Sequence, residues 1–362
     1  MGLDSIKRVD WMLGTTVAGA IGLVLAVLVG FDVLIALIGE FEDIGSGDYN
    51  VLSAMVYVAY TVPRRIHENF VHGAVIGTLV GLGVLAGHGE ITALRAAGLA
   101  KRRIALSALA AVAVLTAAVF VLGETLAPEG ERWAQALSVQ SKNRDYALSR
   151  ETGMWARDRD TVVNARSVII ADGALEMRDV RLFFFEPSGR LAAITRSERA
   201  VHADGSWRLD NARRFEFLEG RVGTSTRASD EWSSSLDPEV VSQGAIRPRY
   251  LSMSALWESY AYLRGNRLNT RAVESAFWTR VFSPLTTLAL VFAVTPFAFG
   301  ALRSGGAGKR LFLGVVIAVG FFFTQRALIN LAEVYHYSLP VINAVPMLLL
   351  VAAGWFYYRR HA

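Results

Sequence analysis

Six long apolar runs divide this chain into two groups of three, with a stretch of different character between them. The first run, Trp11 to Ile38, follows Lys7 and Arg8, extends well past the core of a cleavable signal, and lacks a clear small-residue cleavage site. It predicts a spanning helix. Glu40 to Asn50 is acidic and without Lys or Arg, as expected of an outward-facing loop. Residues 51–62 are apolar but short, and Pro63, Arg64 and Arg65 then interrupt. Two arginines deep in a bilayer would cost roughly 2.5–3.5 kcal/mol each. The pattern therefore predicts an interfacial helix over 51–62, the arginines at the outer interface, and a second span from Ile66 to Gly87. Ile104 to Gly123 predicts the third.

From Glu124 to about Thr270 the apolar runs give way to short alternating segments: Thr161–Ile170, Leu175–Glu186, Leu191–His202, Trp207–Glu219 and Arg221–Trp232. Turn residues separate them: AspGly at 172–173, ProSerGly at 187–189, AspGly at 204–205 and GluGly at 219–220. Strands at such regular spacing predict an inserted all-β domain, a sandwich or a roll, closed by a helix over Ser252–Leu263. Ala272 to Leu302 predicts a fourth span, kinked at Pro284 and Pro296. A basic loop, Arg303 to Arg310, leads to spans at Leu311–Leu331 and Pro340–Tyr358, and Asp32 and Arg326 are expected to reach an interface by snorkelling. Basic loops alternate with loops that lack Lys and Arg, which puts both termini on the cytoplasmic side. The reading is a polytopic α-helical membrane protein of six spans, three plus three, divided as 1–123, 124–270 and 271–362.

Small residues recur at four-residue spacing on two spans: Ala18, Gly22, Ala26 and Gly30 on the first, and Gly73, Gly77 and Gly81 on the second. Such stripes let helix backbones approach closely, so they mark packing seams. The connector His88 to Arg103 places Ile91, Leu94 and Gly98 on one narrow stripe, with Glu90 just before it and Arg95 beside it. Gly98 suits a helix stop, and Lys101, Arg102 and Arg103 anchor the next span. The connector reads either as a small helix lying along the membrane for a cytoplasmic partner, or as an ordinary basic loop.

Composition sharpens this picture in two ways. A chain 53% hydrophobic yet 19% charged is too apolar for a soluble domain and too charged to lie wholly in the bilayer. The excess of 37 basic over 32 acidic residues sits mainly at membrane edges, so it reports topology and not nucleic-acid binding. There is no cysteine, which removes disulfides and thiolate chemistry. Gly305 to Arg310, GGAGKR, departs from a phosphate-binding loop in its first glycine and in the residue after lysine, and reads as a basic turn. The six histidines never cluster and no nucleophile motif stands out, so the sequence shows neither a metal site nor an enzyme. Arg64 and Arg65 remain open between phosphate recognition and headgroup anchoring.

Several blocks resemble the YjgP/YjgQ family of lipopolysaccharide export permeases: PRR at 63–65, GLGVLAGHGEITALRAAGL at 81–99, GETLAPEGE at 123–131, GMWARD at 153–158, LSMSALWESYAYL at 251–263, AFWTRVFSPL at 276–285 and FGALRS at 299–304. The resemblance covers nearly the whole chain, and the last two blocks look like the LptG branch more than its LptF paralogue. It implies an inner-membrane ABC-transporter permease that extracts lipopolysaccharide, pairs with an LptF-like subunit, and rests on an LptB-like ATPase dimer that binds ATP and magnesium. The β domain is then periplasmic, resembles a β-jellyroll, and joins LptC-like and LptA-like proteins. The resemblance makes the connector near 88–100 a coupling helix that meets the ATPase through Glu90, Ile91, Leu94, Arg95 and Gly98, with Glu90 contacting a basic residue there, and gives Arg64 and Arg65 the lipid A phosphates. Unlike relatives with lysines near the outer end of the first span, this chain has Glu40, Glu42 and Asp43 there. A membrane-anchored scaffold that moves no lipid is the competing reading. So is an ABC permease of the mechanotransmission type.

Overall fold

The computed structural model describes residues 3–45, 48–141, 154–158, 160–171, 174–186, 188–203, 206–218, 221–234, 248–266, 268–298 and 307–360. The chain forms two compact units, one of residues 1–38, 58–130 and 275–362, the other of 39–57 and 131–274.

The first unit is helical. Its elements are α1 (Leu3–Phe41), α2 (Val51–Gly87), α3 (Glu90–Ala96), α4 (Lys101–Glu124), the start of α5 (Leu126–Ser141), and then α7 (Arg271–Ala298), α8 (Ala307–Tyr335) and α9 (Leu339–Arg360). Among the described residues, six helical segments are long and apolar enough to cross a membrane. Their shared core draws Leu13, Val17 and Ile21 from α1, Leu79 and Leu82 from α2, Ile104 and Ala108 from α4, and Leu290 and Val294 from α7. Lipid-facing positions such as Leu23, Phe31 and Phe323 stay exposed, as apolar residues can when the solvent is itself apolar.

Two boundaries differ from the sequence reading. No break separates residues 51–62 from the second span: α2 runs through Pro63 as one helix of 37 residues. At 1.5 Å per residue it is about 55 Å long, against about 30 Å of hydrocarbon, so Arg64 and Arg65 need not enter the apolar core for the helix to continue. Residues 126–141, assigned to no element above, are helix α5, with Pro128 in the first turn where a missing N–H costs little.

The second unit holds one antiparallel sheet of six described strands in sequential order: β1 (Met154–Asp158), β2 (Thr161–Ala171), β3 (Ala174–Phe185), β4 (Leu191–Ala203), β5 (Ser206–Leu218) and β6 (Arg221–Trp232). The turns expected at 172–173, 204–205 and 219–220 lie outside the described residues, as does Pro187. A line of interrupted pairing crosses the sheet at Arg166, Asp179, Glu198, Asn211 and Ala228, with the register unchanged on either side. Asp179 and Asn211 there have φ of 45° and 54°, a left-handed conformation that Asp and Asn tolerate better than most. Across this crease the inward parity switches. Trp207 and Leu209 are buried before it on β5 and Ala212 after it; on β3 the change is from Met177 to Val180 and Leu182. Residues from both sides of the crease therefore share one core, closed by Trp232 and by Tyr262 of α6 (Met253–Gly265). Strict alternation would have turned the two halves to opposite faces. The inserted all-β domain is thus a sequential meander curled about a crease.

The acidic turn after α1 is tied down within this second unit. The Tyr49 hydroxyl donates to Glu40 Oε2 at 2.8 Å, and burial, reinforced by that carboxylate, pushes the phenol above its ordinary range.

Candidate functional site

Charges placed along α2 organise the first unit. Arg65 is 8% exposed, and its guanidinium meets Asp32 Oδ1 of α1 at 2.7 Å. The same side chain donates to Thr61 Oγ1 at 3.0 Å and to the Asp32 carbonyl at 3.2 Å. Asn69 donates to the other carboxylate oxygen at 3.2 Å. A buried guanidinium needs its charge and donors satisfied together, and this set does so from within the chain. Two sequence readings gain a structural role here. Asp32 is a counter-ion within the chain, where the sequence suggested only snorkelling, and Arg65 is a strut between α1 and α2, where the sequence suggested only phosphate recognition or headgroup anchoring. Arg64 pairs with Glu68, one turn along α2, at 2.8 Å.

Below this strut the glycines of α2 form the seam. A β-carbon on Gly77 would lie 2.5 Å from the Ile21 Cα, and one on Gly81 would lie 3.1 Å from that of Val17. Gly73 faces Leu25 at 3.3 Å. The seam is therefore an α1–α2 contact within the chain. Gly22 and Gly30 point elsewhere, with nothing near enough to meet a β-carbon.

A second ion pair was missed by the sequence reading. Arg280 of α7, 8% exposed, is paired with Glu124 at the end of α4 and donates to the Gly123 carbonyl at 2.6 Å. The His67 ring of α2 fills the space that a side chain at position 123 would need. One arginine thus links the first three spans to the last three. Its signal was an ionisable residue inside the fourth apolar run, which by itself marks a site that needs a partner.

The connector forms the short helix α3. Gly98, with φ of 93°, closes it: its N–H reaches the Arg95 carbonyl and the Leu99 N–H reaches the Leu94 carbonyl, both at 3.0 Å. That is the paired geometry of a Schellman stop, completed by Leu94 and Leu99 packing on the same core. Ile91 is 3% exposed and seated in that core. The stripe of Ile91 and Leu94, expected to face a partner, instead fastens α3 to its own chain, because their burial there offsets the cost of ordering so short a helix. What α3 leaves accessible is Thr92, Ala93, Arg95 and Ala96, with Glu90 at the margin. The block at 299–304 and the start of the basic loop lie outside the described residues; Ala307 to Arg310 belong to α8.

Comparison with known proteins agrees with this architecture. The family model for the lipopolysaccharide export system permease LptF/LptG matches residues 11–360. The lipopolysaccharide export system permease protein LptG of Haemophilus influenzae is 26% identical over 359 residues, covering 98% of this chain and 99% of that protein. LptG of Escherichia coli K12 is 27% identical over 350 residues, 96% of this chain and 95% of that protein.

Proposed function

This chain belongs to the LptF/LptG family of lipopolysaccharide export system permeases, and from that premise we propose how its parts divide the work. It is a permease subunit of lipopolysaccharide export. In the proposed assembly it sits in the bacterial inner membrane with both termini cytoplasmic and pairs with an LptF-like subunit. An LptB-like ATPase dimer beneath it holds ATP and magnesium, and the chain itself catalyses no reaction. Its β domain lies in the periplasm and hands lipid to LptC-like and LptA-like proteins.

Moving such a lipid sets the physical problem. Burial is worth ~0.8 kcal/mol per methylene, so wetting a single chain of about 14 carbons costs on the order of 11 kcal/mol. The lipid must pass between apolar surfaces without a wet gap, and force has to enter from outside the chain. The observation that carries this reading is the construction of α3. Its apolar residues are locked into the span core, and its polar edge is left accessible between two spans. A push on that edge is transmitted to α2 and α4 because Ile91 and Ile104 share one core. Phosphate recognition is proposed for Arg64 and Arg65, each of which already holds a carboxylate of this chain, or for the partner subunit.

The test is Glu90→Arg in the assembled transporter. ATP hydrolysis should persist while lipopolysaccharide release to a soluble acceptor falls at least tenfold. Transport at the wild-type rate would remove the coupling role.

A further inference from the structure

A groove of about 590 Å³ runs between α1 and α4, floored by Gly14, Ala18, Ala110 and Ala111. Its floor is close-packed, since a β-carbon on Gly14 would sit 3.5 Å from that of Ala111. Trp11 and Val114 on its rims are 75% and 71% exposed, so the groove is open on its flank. From Arg103 to Leu115 it follows twelve residues of α4, about 18 Å. That is roughly one leaflet of a ~30 Å hydrocarbon core.

One end is polar. Asp10 is held there by Arg103, which neutralises its carboxylate, and by a hydrogen bond from the Ser107 hydroxyl. Arg8 and Arg102, both exposed, and Lys101 belong to the same turns of α1 and α4, beyond the groove's own lining. Among the described residues these turns of α1 and α4 carry four cations and one carboxylate, and that carboxylate is already in a salt bridge. We propose that this groove is a binding site for an anionic phospholipid of the leaflet at the Lys101–Arg103 end, with one acyl chain along the small-residue floor and the headgroup phosphate at Arg8 and Arg102. Basic pockets between helices at a membrane face take such headgroups. A partner's transmembrane helix would need a track the full depth of the bilayer, and this groove stops halfway. The site takes no part in the coupling proposed above and stands or falls separately from it.

The assembled transporter in nanodiscs of equimolar phosphatidylcholine and phosphatidylglycerol provides the test, with retained lipid counted by native mass spectrometry. Phosphatidylglycerol should be kept in preference, and Arg8→Ala and Arg102→Ala should each weaken its retention about fivefold. A photoreactive residue at the exposed position 114, which leaves the groove floor unaltered, should cross-link to lipid. Equal retention of both lipids, indifference to the two arginine substitutions, or a cross-link to a protein would overturn the proposal. Wild-type lipopolysaccharide transport by the Glu90→Arg variant with lipid retention intact would count against the coupling role and leave this site standing.

Discussion

An arginine taken out of water has to meet its counter-charge in the fold, and among the described residues this chain does so twice. Asp32 answers Arg65 and Glu124 answers Arg280. Removing one partner of a buried pair strands the other, at a cost of about 3–5 kcal/mol, whereas removing both can be nearly neutral. Arg280→Ala should therefore lower the thermal midpoint of the purified protein in mild detergent by many degrees. Arg280→Met combined with Glu124→Gln should recover most of that loss. A double variant as unstable as the single one would show that the arginine acts through packing alone. The charges themselves were legible in the sequence, but their partners were not. Asp32 and Arg65 are 33 positions apart, and no local pattern says which acid an arginine will find.

Helices in this protein owe their contacts to what they lack. Gly77 has no side chain where α1 crosses, and the Ile21 backbone occupies the space. Gly77→Leu should force α1 and α2 apart, lowering both membrane yield and thermal midpoint. Gly22→Leu, at a position that meets nothing within this chain, should leave both unchanged in the isolated subunit. Equal effects at the two glycines would contradict the seam. The four-residue spacing revealed that both stripes existed. Which stripe α1 and α2 use between them depends on how the helices are rotated, and the apolar face of α1 at Val17 and Ile21 decides that. The continuity of α2 through Pro63 was hidden for a related reason. A proline and two arginines read as a stop, but the length of α2 and the counter-charge of the neighbouring Asp32 let the helix go on.

At the scale of the whole molecule, the proposed topology makes a prediction that the cysteine-free sequence leaves easy to read. Arg95→Cys on α3 and Trp155→Cys on β1 both fall at exposed positions. A membrane-impermeant maleimide should label position 95 only from the cytoplasmic face and position 155 only from the periplasmic one. Labelling of both from the same side would overturn the six-span arrangement. Hydrophobic run length and alternation alone determined the six spans, the inserted β domain and most strand ends to within a residue or two, because those signals are local and repeat along the chain. Tertiary structure alone decided that Arg65 and Arg280 are internal struts, that Ile91 faces its own core, and that the sheet reverses its inward face at Asp179 and Asn211. Each of these depends on what lies across from a residue in space, and burial energies and charge pairing are settled only when distant segments meet.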